Sequence, residues 1–282
     1  MNVKRKLVYV DQLVRPTSLD IVNALTNHYE VHLHCGGIIK TYAELHPAIK
    51  IYWIIPYGKK SFFWRFLSWM VFYFATLPFI FFKRKKKVLF LVSNPPLNFF
   101  WGFMLGKIFR IPYNLLIWDI YPDIIVQSGY ASKGSYIVKQ WASWNTKTFN
   151  KGHRIFTVSE NFSTEIKTYN NGDLPGVRVI PNWVNDDEIK PMDRDRNQFL
   201  LKYGLEKLFT VMYSGNMGKT HDIETIVKTA SLLKVFRDIQ FLFIGDGEQK
   251  TKIAKMVEGE GLTNVLLLPF QDPEMFKSSI AS

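Results

Sequence analysis

Short runs of β-branched and aromatic residues alternate with longer segments of helical periodicity over most of the chain. After the run KLVYV near the N-terminus, Leu19, Val22, Leu25 and Tyr29 recur at helical spacing. The strand-like runs VLFLV and HRIFTV are each followed by another helical segment. Strands that alternate with helices predict a mainly parallel sheet covered by helices, with ligand-binding residues at the strand ends.

From about Asp186 the pattern changes. The segment there is charged and carries a proline, which is typical of a connection between domains. A second strand–helix series then begins, and the chain ends soon after its third strand. We therefore predict an α/β fold of two Rossmann-like domains, residues 1–185 and 186–282, each a parallel sheet with helices on both faces. The second domain is expected to be incomplete, because such a domain normally has more than three strands.

Residues 62–82 are almost wholly apolar and are followed by five consecutive cations. A stretch of this length can cross a bilayer, lie on its surface, or form an unusually apolar helix of the core. Arg65 inside the stretch penalises a bilayer span by a few kcal/mol. Pro78 would kink or end the helix near its C-terminal third.

The position of this stretch decides between the interpretations. It lies between two strand-like runs of one predicted sheet, so a span would place those strands on opposite sides of a membrane. We predict instead a crossover helix over residues 61–82, packed on the sheet. Its aromatic excess and the following cations indicate, in addition, a face docked on an anionic bilayer surface. The residues predicted to face the membrane are Arg65, Lys83, Arg84, Lys85, Lys86 and Lys87.

The composition limits the possible partners. The 282 residues carry a net charge of +12, which suits nucleic acid, acidic lipid or a phosphorylated small molecule. The basic run lacks interleaved aromatic residues, which disfavours nucleic acid. Asp11 and Gln12 interrupt the first apolar run, so it is not a signal peptide, and the single cysteine, Cys35, fits a reducing compartment. We expect a cytoplasmic protein, peripheral at the inner face of the plasma membrane, that binds no nucleic acid.

The sequence YSGNMGKTHDIETI contains the most informative turn. A P-loop would need a glycine five residues before Gly218, where Tyr213 stands, so this is not a P-loop. What remains is a strand, a turn at Gly215 and a helix N-terminus that carries Lys219 and His221. Free N–H groups and the helix dipole there favour a phosphate, although an ordinary strand-to-helix turn has the same pattern.

The run FLFIGDGEQ repeats this geometry one strand–helix unit later. Gly245 and Gly247 allow the backbone to turn tightly after a buried strand, and Asp246 would lie at the mouth of the turn. Two such turns at adjacent strand ends would form one edge of a binding cleft.

Two aspartates, Asp119 and Asp123, follow another predicted strand. Paired carboxylates can bind a metal or act as acid and base, and they can also cap the next helix. Because their spacing is not that of a known metal loop, we predict that they line a cleft and that the protein holds no metal. His32 and His34 face the same side of a strand, but two ligands do not make a zinc site, so we expect a structural role.

Taken together, these segments resemble glycosyltransferases of the GT-B fold. The resemblance is to the large retaining family, of the family-four type, that builds bacterial surface polysaccharides and glycolipids. TVSENFSTEI resembles its VSE strand–helix junction, VIPNWVN its IPNGVD interdomain strand, and the turns at Gly215 and Gly245 its donor-side segments. SNPP before a helix and IWDIYPD after the next strand are similar to the branch that acts on lipid-linked sugars.

The resemblance implies roles for particular residues. In this family the C-terminal domain binds a nucleotide-diphosphate sugar, the N-terminal domain takes the acceptor, and transfer retains the anomeric configuration without a metal or other cofactor. The donor-binding positions that it implies are Gly215, Asn216, Lys219, His221, Gly245 and Asp246. The acceptor-side positions are Ser93, Asn94, Tyr121 and Asp123, with Asp119 at the position of the catalytic histidine of many members. The implied partners are a nucleotide sugar, a lipid-linked acceptor and an anionic membrane surface.

The chain departs from the family pattern in its donor site. The family's diphosphate-binding arginine falls at Asn216 and its lysine at His221, where Lys219 is close enough to compensate. The family's glutamate-containing loop would follow a segment that begins near Ser278, so the sequence predicts a truncated chain and a possible partner that supplies the missing segment. The alternative function is a non-catalytic remnant that binds a membrane surface or a partner protein.

Overall fold

The computed structural model describes residues 4–39, 44–58, 62–81, 87–172, 174, 176–183, 189–218 and 221–281. The chain divides into two compact units, Met1–Trp183 and Val184–Ser282, whereas the composition predicts the boundary after Asn185. Both units contain a parallel sheet with helices packed on it, which confirms the predicted α/β fold class.

The first unit is built on a parallel sheet. Its strands are β1 (Arg5–Val10), β2 (Leu13–Val14), β3 (Tyr29–Cys35), β4 (Gly37–Ile38), β5 (Lys50–Trp53), β6 (Lys87–Val92), β7 (Tyr113–Ile117), β8 (Arg154–Thr157) and β9 (Val177–Val179). Within the described residues, 7 of them form one sheet in the order β5-β3-β1-β6-β7-β8-β9, and β2 pairs with β4. Strand β6 is buried along its whole length, as expected for a central parallel strand with both faces covered.

Helices cover both faces of this sheet. They are α1 (Pro16–Leu25), α2 (Phe62–Phe81), α3 (Asn98–Phe109), α4 (Asp123–Gln127), α5 (Tyr136–Lys151) and α6 (Glu160–Thr168). Because crossovers between parallel strands are right-handed, a helix lies on one face or the other according to the direction in which the next strand is added. Phe72, Phe99 and Phe149 bring α2, α3 and α5 into the core of one face, and Leu19 and Val22 bring α1 into the core of the other.

Helix α2 turns its polar side inward. Ser68 and Thr76 are buried, and their hydroxyls donate to the carbonyls of Arg65 and Tyr73 in the same helix, each at 2.8 Å. These local hydrogen bonds offset the cost of burying the hydroxyls. The exposed apolar side chains of the helix are Phe63, Trp64, Phe66, Leu67, Val71, Phe74, Phe79 and Phe81. The outward side of α2 is therefore apolar, unlike that of an ordinary surface helix.

Helix α2 also has the length and composition of a membrane span. Phe63–Phe81 has a mean hydropathy of 1.3, and only 28% of the apolar window is buried. However, β5 before it and β6 after it belong to the same sheet, which confirms the predicted crossover. Pro78 does not end the helix, which continues through it to Phe81.

The position of Lys87 contradicts the prediction that it faces the membrane. It was predicted to face the membrane, but it is buried at the start of β6, and its Nζ donates to the carbonyl of Ile80 near the end of α2. A cation there satisfies a terminal carbonyl and complements the negative end of the helix dipole. Lys83, Arg84, Lys85 and Lys86 lie outside the described residues.

The second unit repeats the α/β layering on a smaller scale. Its elements are a 3-10 turn (Arg194–Arg196), α7 (Gln198–Tyr203), β10 (Phe209–Asn216), α8 (Ile223–Leu232), β11 (Ile239–Asp246), α9 (Lys250–Gly259), β12 (Val265–Leu268) and α10 (Pro273–Ile280). The described strands are parallel in the order β10-β11-β12. Phe243 of β11 packs with Val227 and Ile253 from α8 and α9, and Leu242 packs with Phe199 from α7. Helices thus cover both faces of β11.

Strands β10 and β11 approach each other closely at their C-terminal ends. Their register pairs Gly215 with Gly245. A Cβ atom on Gly245 would lie 1.9 Å from the carbonyl oxygen of Gly215, and the φ angle of Gly245 is +150°. Only glycine fits this position, because the obstructing atom belongs to the backbone of the paired strand.

We expect Gly245→Ala to destabilise the second unit by about 1–3 kcal/mol or more, because the new methyl group must push the two strands apart. Urea unfolding followed by circular dichroism would measure the change. The matched control is Gly259→Ala at the end of α9, where an added Cβ meets nothing within 4 Å. That control should be neutral or slightly stabilising, and equal losses in both variants would contradict the explanation.

Candidate functional site

A polar pocket lies at the C-terminal edge of the sheet in the first unit. Its lining residues follow β1, β6 and β7, whose ends meet because these strands are parallel neighbours. They include Asp11 after β1, Ser93 and Asn94 after β6, and Asp119 and Tyr121 after β7. All of these except Asp11 are residues that the resemblance implies for the acceptor side, and the structure brings them into one pocket.

Asp11 is one of the pocket residues that the sequence analysis missed. Its Oδ2 accepts a hydrogen bond from the Ser18 hydroxyl at 2.8 Å, and its Oδ1 accepts one from the Leu13 N–H at 3.2 Å. Burial raises the pKa of the Asp11 carboxyl to about 7, and these hydrogen bonds only partly oppose the shift. The sequence signal that could have found it is a carboxylate directly after the first buried strand of a parallel sheet.

Asp119 lies on the opposite side of the same strand ends. Its side chain is partly buried, and burial raises the pKa of its carboxyl while the nearby charge of Arg15 opposes the shift. The backbone N–H groups of Trp118 and Asp119 point at the Ser93 hydroxyl oxygen, at 3.0 and 3.3 Å. Ser93 therefore fixes the chain that leaves β7 against the chain that leaves β6.

Asn94 connects the two sides of the pocket. Its side chain favours the ionised form of the Asp11 carboxyl and so lowers the pKa of that group, and its carbonyl accepts the N–H of Gln12 at 3.0 Å. Aromatic residues, including Tyr57 and Trp69, form the walls. Carboxyls, an amide and hydroxyls in a partly dry pocket suit a ligand with several hydroxyl groups, because each group finds a donor or an acceptor.

Two residues with predicted roles, Asp123 and Arg65, are not among the residues that line the polar pocket. Asp123 begins α4, and its Oδ2 accepts a hydrogen bond from the Tyr169 hydroxyl at 2.5 Å, which ties α4 to the end of α6. Arg65 was predicted to face the membrane. It is half-buried, and its Cζ lies 5.9 Å from the centre of the Tyr57 ring, so it turns toward the polar pocket and away from the exposed aromatic side of α2.

In the second unit, the two glycine turns lie side by side. The register that pairs Gly215 with Gly245 also pairs Asn216 with Asp246. The Met217 N–H donates to the carbonyl of Asp246 at 2.8 Å, so the two turns are bonded to each other beyond the strands. The two turns are therefore adjacent at the ends of β10 and β11, as the sequence predicts.

The N-terminus of α8 is less available to a phosphate than its sequence indicates. Asp222 caps this helix, and its Oδ1 accepts the N–H of Thr225 at 3.3 Å. The carboxylate uses the positive end of the helix dipole that an anion would otherwise use. His221 lies just before the cap with its Nδ1 at 2.5 Å from the Tyr213 hydroxyl, and Lys219 lies outside the described residues.

Gln249 is a second residue that the sequence analysis missed. Its Nε2 donates to the carbonyls of Gly218 and His221, at 2.6 and 2.8 Å, and its own N–H donates to the carbonyl of Met217 at 3.0 Å. These bonds hold the segment before α8 against the start of α9. The N-terminus of α9 has no side-chain cap, so its N–H groups are more available to an anion than those of α8. A glutamine at a helix start has no distinctive sequence signal.

The fold of this chain is similar to the GT-B fold of solved glycosyltransferase structures. The crystal structure of HepE from Anabaena with UDP and glucose has a TM-score of 0.69 to this chain and 13% sequence identity, and the alignment covers 98% of this chain and 71% of that one. WaaG, a glycosyltransferase involved in lipopolysaccharide biosynthesis, has a TM-score of 0.67 and 12% identity over 98% of this chain and 72% of its own. Identities this low establish the shared fold and nothing finer.

Sequence relatives carry names of the same class. The probable glycosyltransferase WbjE of Pseudomonas aeruginosa is 23% identical over 172 residues, which are 61% of this chain and 42% of that protein. The alpha-D-kanosaminyltransferase of Streptomyces kanamyceticus is 22% identical over 188 residues, 64% of this chain and 47% of its own. The chain thus spans less than half the length of these curated relatives. No known family profile matches it.

The raised pKa of Asp11 predicts a pH-dependent stability. A carboxyl whose pKa rises from 3.8 to about 7 on folding binds its proton more tightly in the folded state, so stability falls as the pH rises through that interval. Asp11→Asn removes the titrating group. As the pH rises across this interval, the free energy of unfolding of the unaltered protein should fall relative to that of Asp11→Asn by an amount on the order of a few kcal/mol. Urea unfolding at several pH values would measure this difference.

The control for this prediction is Asp195→Asn, which removes an exposed carboxylate from the second unit. The stability of the Asp195→Asn variant should follow the same pH dependence as that of the unaltered protein. Parallel curves for the unaltered protein and Asp11→Asn would show that the Asp11 carboxyl does not keep its proton on folding.

Proposed function

We propose that this chain is a glycosyltransferase, which moves a sugar from a nucleotide-diphosphate donor to a lipid-linked or polysaccharide acceptor in cell-surface polysaccharide biosynthesis. The observation that carries the proposal is the convergence of Asp11, Ser93, Asn94 and Asp119 in one partly dry pocket at the strand ends. The names of the sequence relatives and the WaaG-like fold support it.

The donor is assigned to the second unit. The paired turns at Gly215 and Gly245 allow a ligand to approach the backbone closely, and the uncapped N-terminus of α9 offers N–H groups to a diphosphate. The HepE structure contains UDP, which supports a nucleoside diphosphate as the leaving group here. We propose that Asn216, Asp246, His221 and Lys219 belong to the same site, and that the reaction uses no cofactor.

The proposed transfer retains the anomeric configuration. The acceptor hydroxyl oxygen forms a bond to the anomeric carbon on the face that the diphosphate leaves, and the bond between that carbon and the diphosphate oxygen breaks. The nucleoside diphosphate takes the electron pair of the broken bond and accepts the proton of the hydroxyl. Backbone N–H groups stabilise the negative charge that develops on it. We propose that the Asp119 carboxylate accepts a hydrogen bond from a neighbouring acceptor hydroxyl.

Incubation of the chain with a panel of nucleotide sugars and polyprenyl-phosphate-linked sugar acceptors tests the activity. We expect transfer from one donor, with the product in the same anomeric configuration as the donor. In the presence of that donor, Asp119→Asn should lower kcat about 10²-fold, because a misplaced acceptor hydroxyl loses that much rate. Asp195→Asn serves as the control and should leave kcat unchanged. The absence of transfer from every donor would refute the proposal.

The location that we propose is the inner face of the plasma membrane, with the protein bound peripherally. The support is the outward apolar side of α2, where Phe63 is 67% exposed and Phe74 is 61% exposed. A row of exposed aromatic side chains on one helix is typical of insertion at the boundary between head groups and acyl chains. The cations that follow the helix in sequence would attract the anionic leaflet.

Replacement of residues 83–86 by glutamine is expected to weaken binding to anionic vesicles by about 1 kcal/mol for each cation removed, measured by vesicle co-sedimentation. Lys87 is kept, because it is buried against α2. The control replaces four exposed lysines of the second unit by glutamine: Lys202, Lys207, Lys228 and Lys234. Unchanged binding of the first variant, or an equal loss in the control, would argue against docking through this segment.

A further inference from the structure

An apolar pocket adjoins the polar pocket in the first unit. It has a volume of about 260 Å³, and almost all of its surface is carbon. Helix α2 contributes Phe66, Trp69 and Met70, and Leu97, Ile125 and Trp141 close the other sides. A dry cavity of this composition takes hydrocarbon in preference to water or a polar group.

The two pockets share an aromatic wall. Trp69 lines both of them. Tyr121, which lines the polar pocket, meets Trp69 edge to face at 6.1 Å and stacks on Trp141 at 6.0 Å with the rings 11° from parallel. A ligand with a polar end and an apolar end can therefore lie across the wall with each end in a matching environment.

A hydrogen-bond donor at this boundary lacks an acceptor. The indole Nε1–H of Trp69 is buried, and no described residue accepts its hydrogen bond. The Nε of Arg65, one helical turn earlier in α2, is in the same condition. Buried donors are nearly always paired in folded proteins, because an unpaired one loses its hydration without compensation. Oxygen atoms of a ligand head group would satisfy donors placed here.

The apolar pocket also continues into the outward side of α2. Phe66 lines the pocket and is 47% exposed, and Phe63 and Leu67 beside it on the helix are exposed as well. This continuity gives hydrocarbon a path from the apolar surface of α2 into the pocket without crossing a polar barrier.

We propose that the apolar pocket holds the first part of the hydrocarbon chain of a lipid-linked acceptor, while the sugar head group of that lipid lies at the polar pocket beside Asp119. The identity of the head group rests on the proposed function, whereas the chain-binding pocket rests on its own geometry. The lipid enters along α2, and its chain anchors the head group at the strand ends.

Calorimetric titration with hexyl, octyl and decyl glucoside, each below the concentration at which it forms micelles, tests the pocket directly. These probes carry hydroxyl groups for the polar pocket and a chain for the apolar one. In the unaltered chain, each added methylene should tighten binding up to about fourfold, with one glucoside bound per chain. The heat-capacity change should become more negative with chain length. Equal affinity for all three glucosides would overturn the proposal.

A matched pair of substitutions locates the binding. Ile125→Trp fills the apolar pocket and should weaken decyl glucoside binding about tenfold or more, since it displaces two or more methylenes. Ile137→Trp makes the same change on α5, where Ile137 is 73% exposed and does not line the pocket, and it should leave the affinity unchanged. Equal losses in both variants would refute binding in this pocket.

These measurements use neither donor nor transfer, so they remain valid if the chain has no transferase activity. Conversely, transfer to a water-soluble acceptor together with a flat chain-length series would overturn the lipid pocket and leave the proposed reaction standing.

Discussion

The parallel pairing of β1 with β6 is the contact on which the first unit depends. It sets Val10 beside Leu91, although the whole of α1, β3, β5 and α2 separates them in the chain. Because parallel strands end on the same edge of a sheet, this pairing brings Asp11 next to Ser93 and Asn94, and β7 then adds Asp119. Chain segments that are far apart in sequence thus become the walls of one pocket, and the burial that follows alters the acidity of both carboxyls.

Helix α2 makes this pairing possible and gives the unit its unusual surface. A crossover helix normally buries its apolar side, but here the sheet receives Ser68 and Thr76 together with Phe72 and Ile80. The two hydroxyls bond to carbonyls of their own helix, so the inward polar groups cost little. On its outward side, Phe63 and Phe74 are more than half exposed. The same helix lines the apolar pocket and contacts the polar one through Trp69, which links the outer surface to the strand ends.

Backbone geometry shapes the two adjacent turns of the second unit, whereas side chains line the polar pocket of the first. Gly245 lets β11 come closer to the backbone of Gly215 in β10 than any residue with a Cβ would allow, and bonds from Met217 and Gln249 hold the two turns together. Asp222 occupies the start of α8, while the start of α9 is left without a side-chain cap. The N–H groups at the start of α9 are therefore less occupied by side chains than those at the start of α8.

The sequence by itself determined the local features of this protein. The alternation of strand-like and helical segments predicted the parallel α/β fold, glycine spacing predicted the paired turns and excluded a P-loop, and the position of residues 61–82 between strands predicted a crossover. Only the tertiary structure decided which side of α2 faces the sheet, that Lys87 is buried, and that Asp11 belongs to the pocket. Strands, helices and turns depend on residues that are near one another in the chain, so the sequence pattern is enough to predict these elements. Burial and hydrogen bonding depend on neighbours from distant segments, so they exist only once the strands have paired.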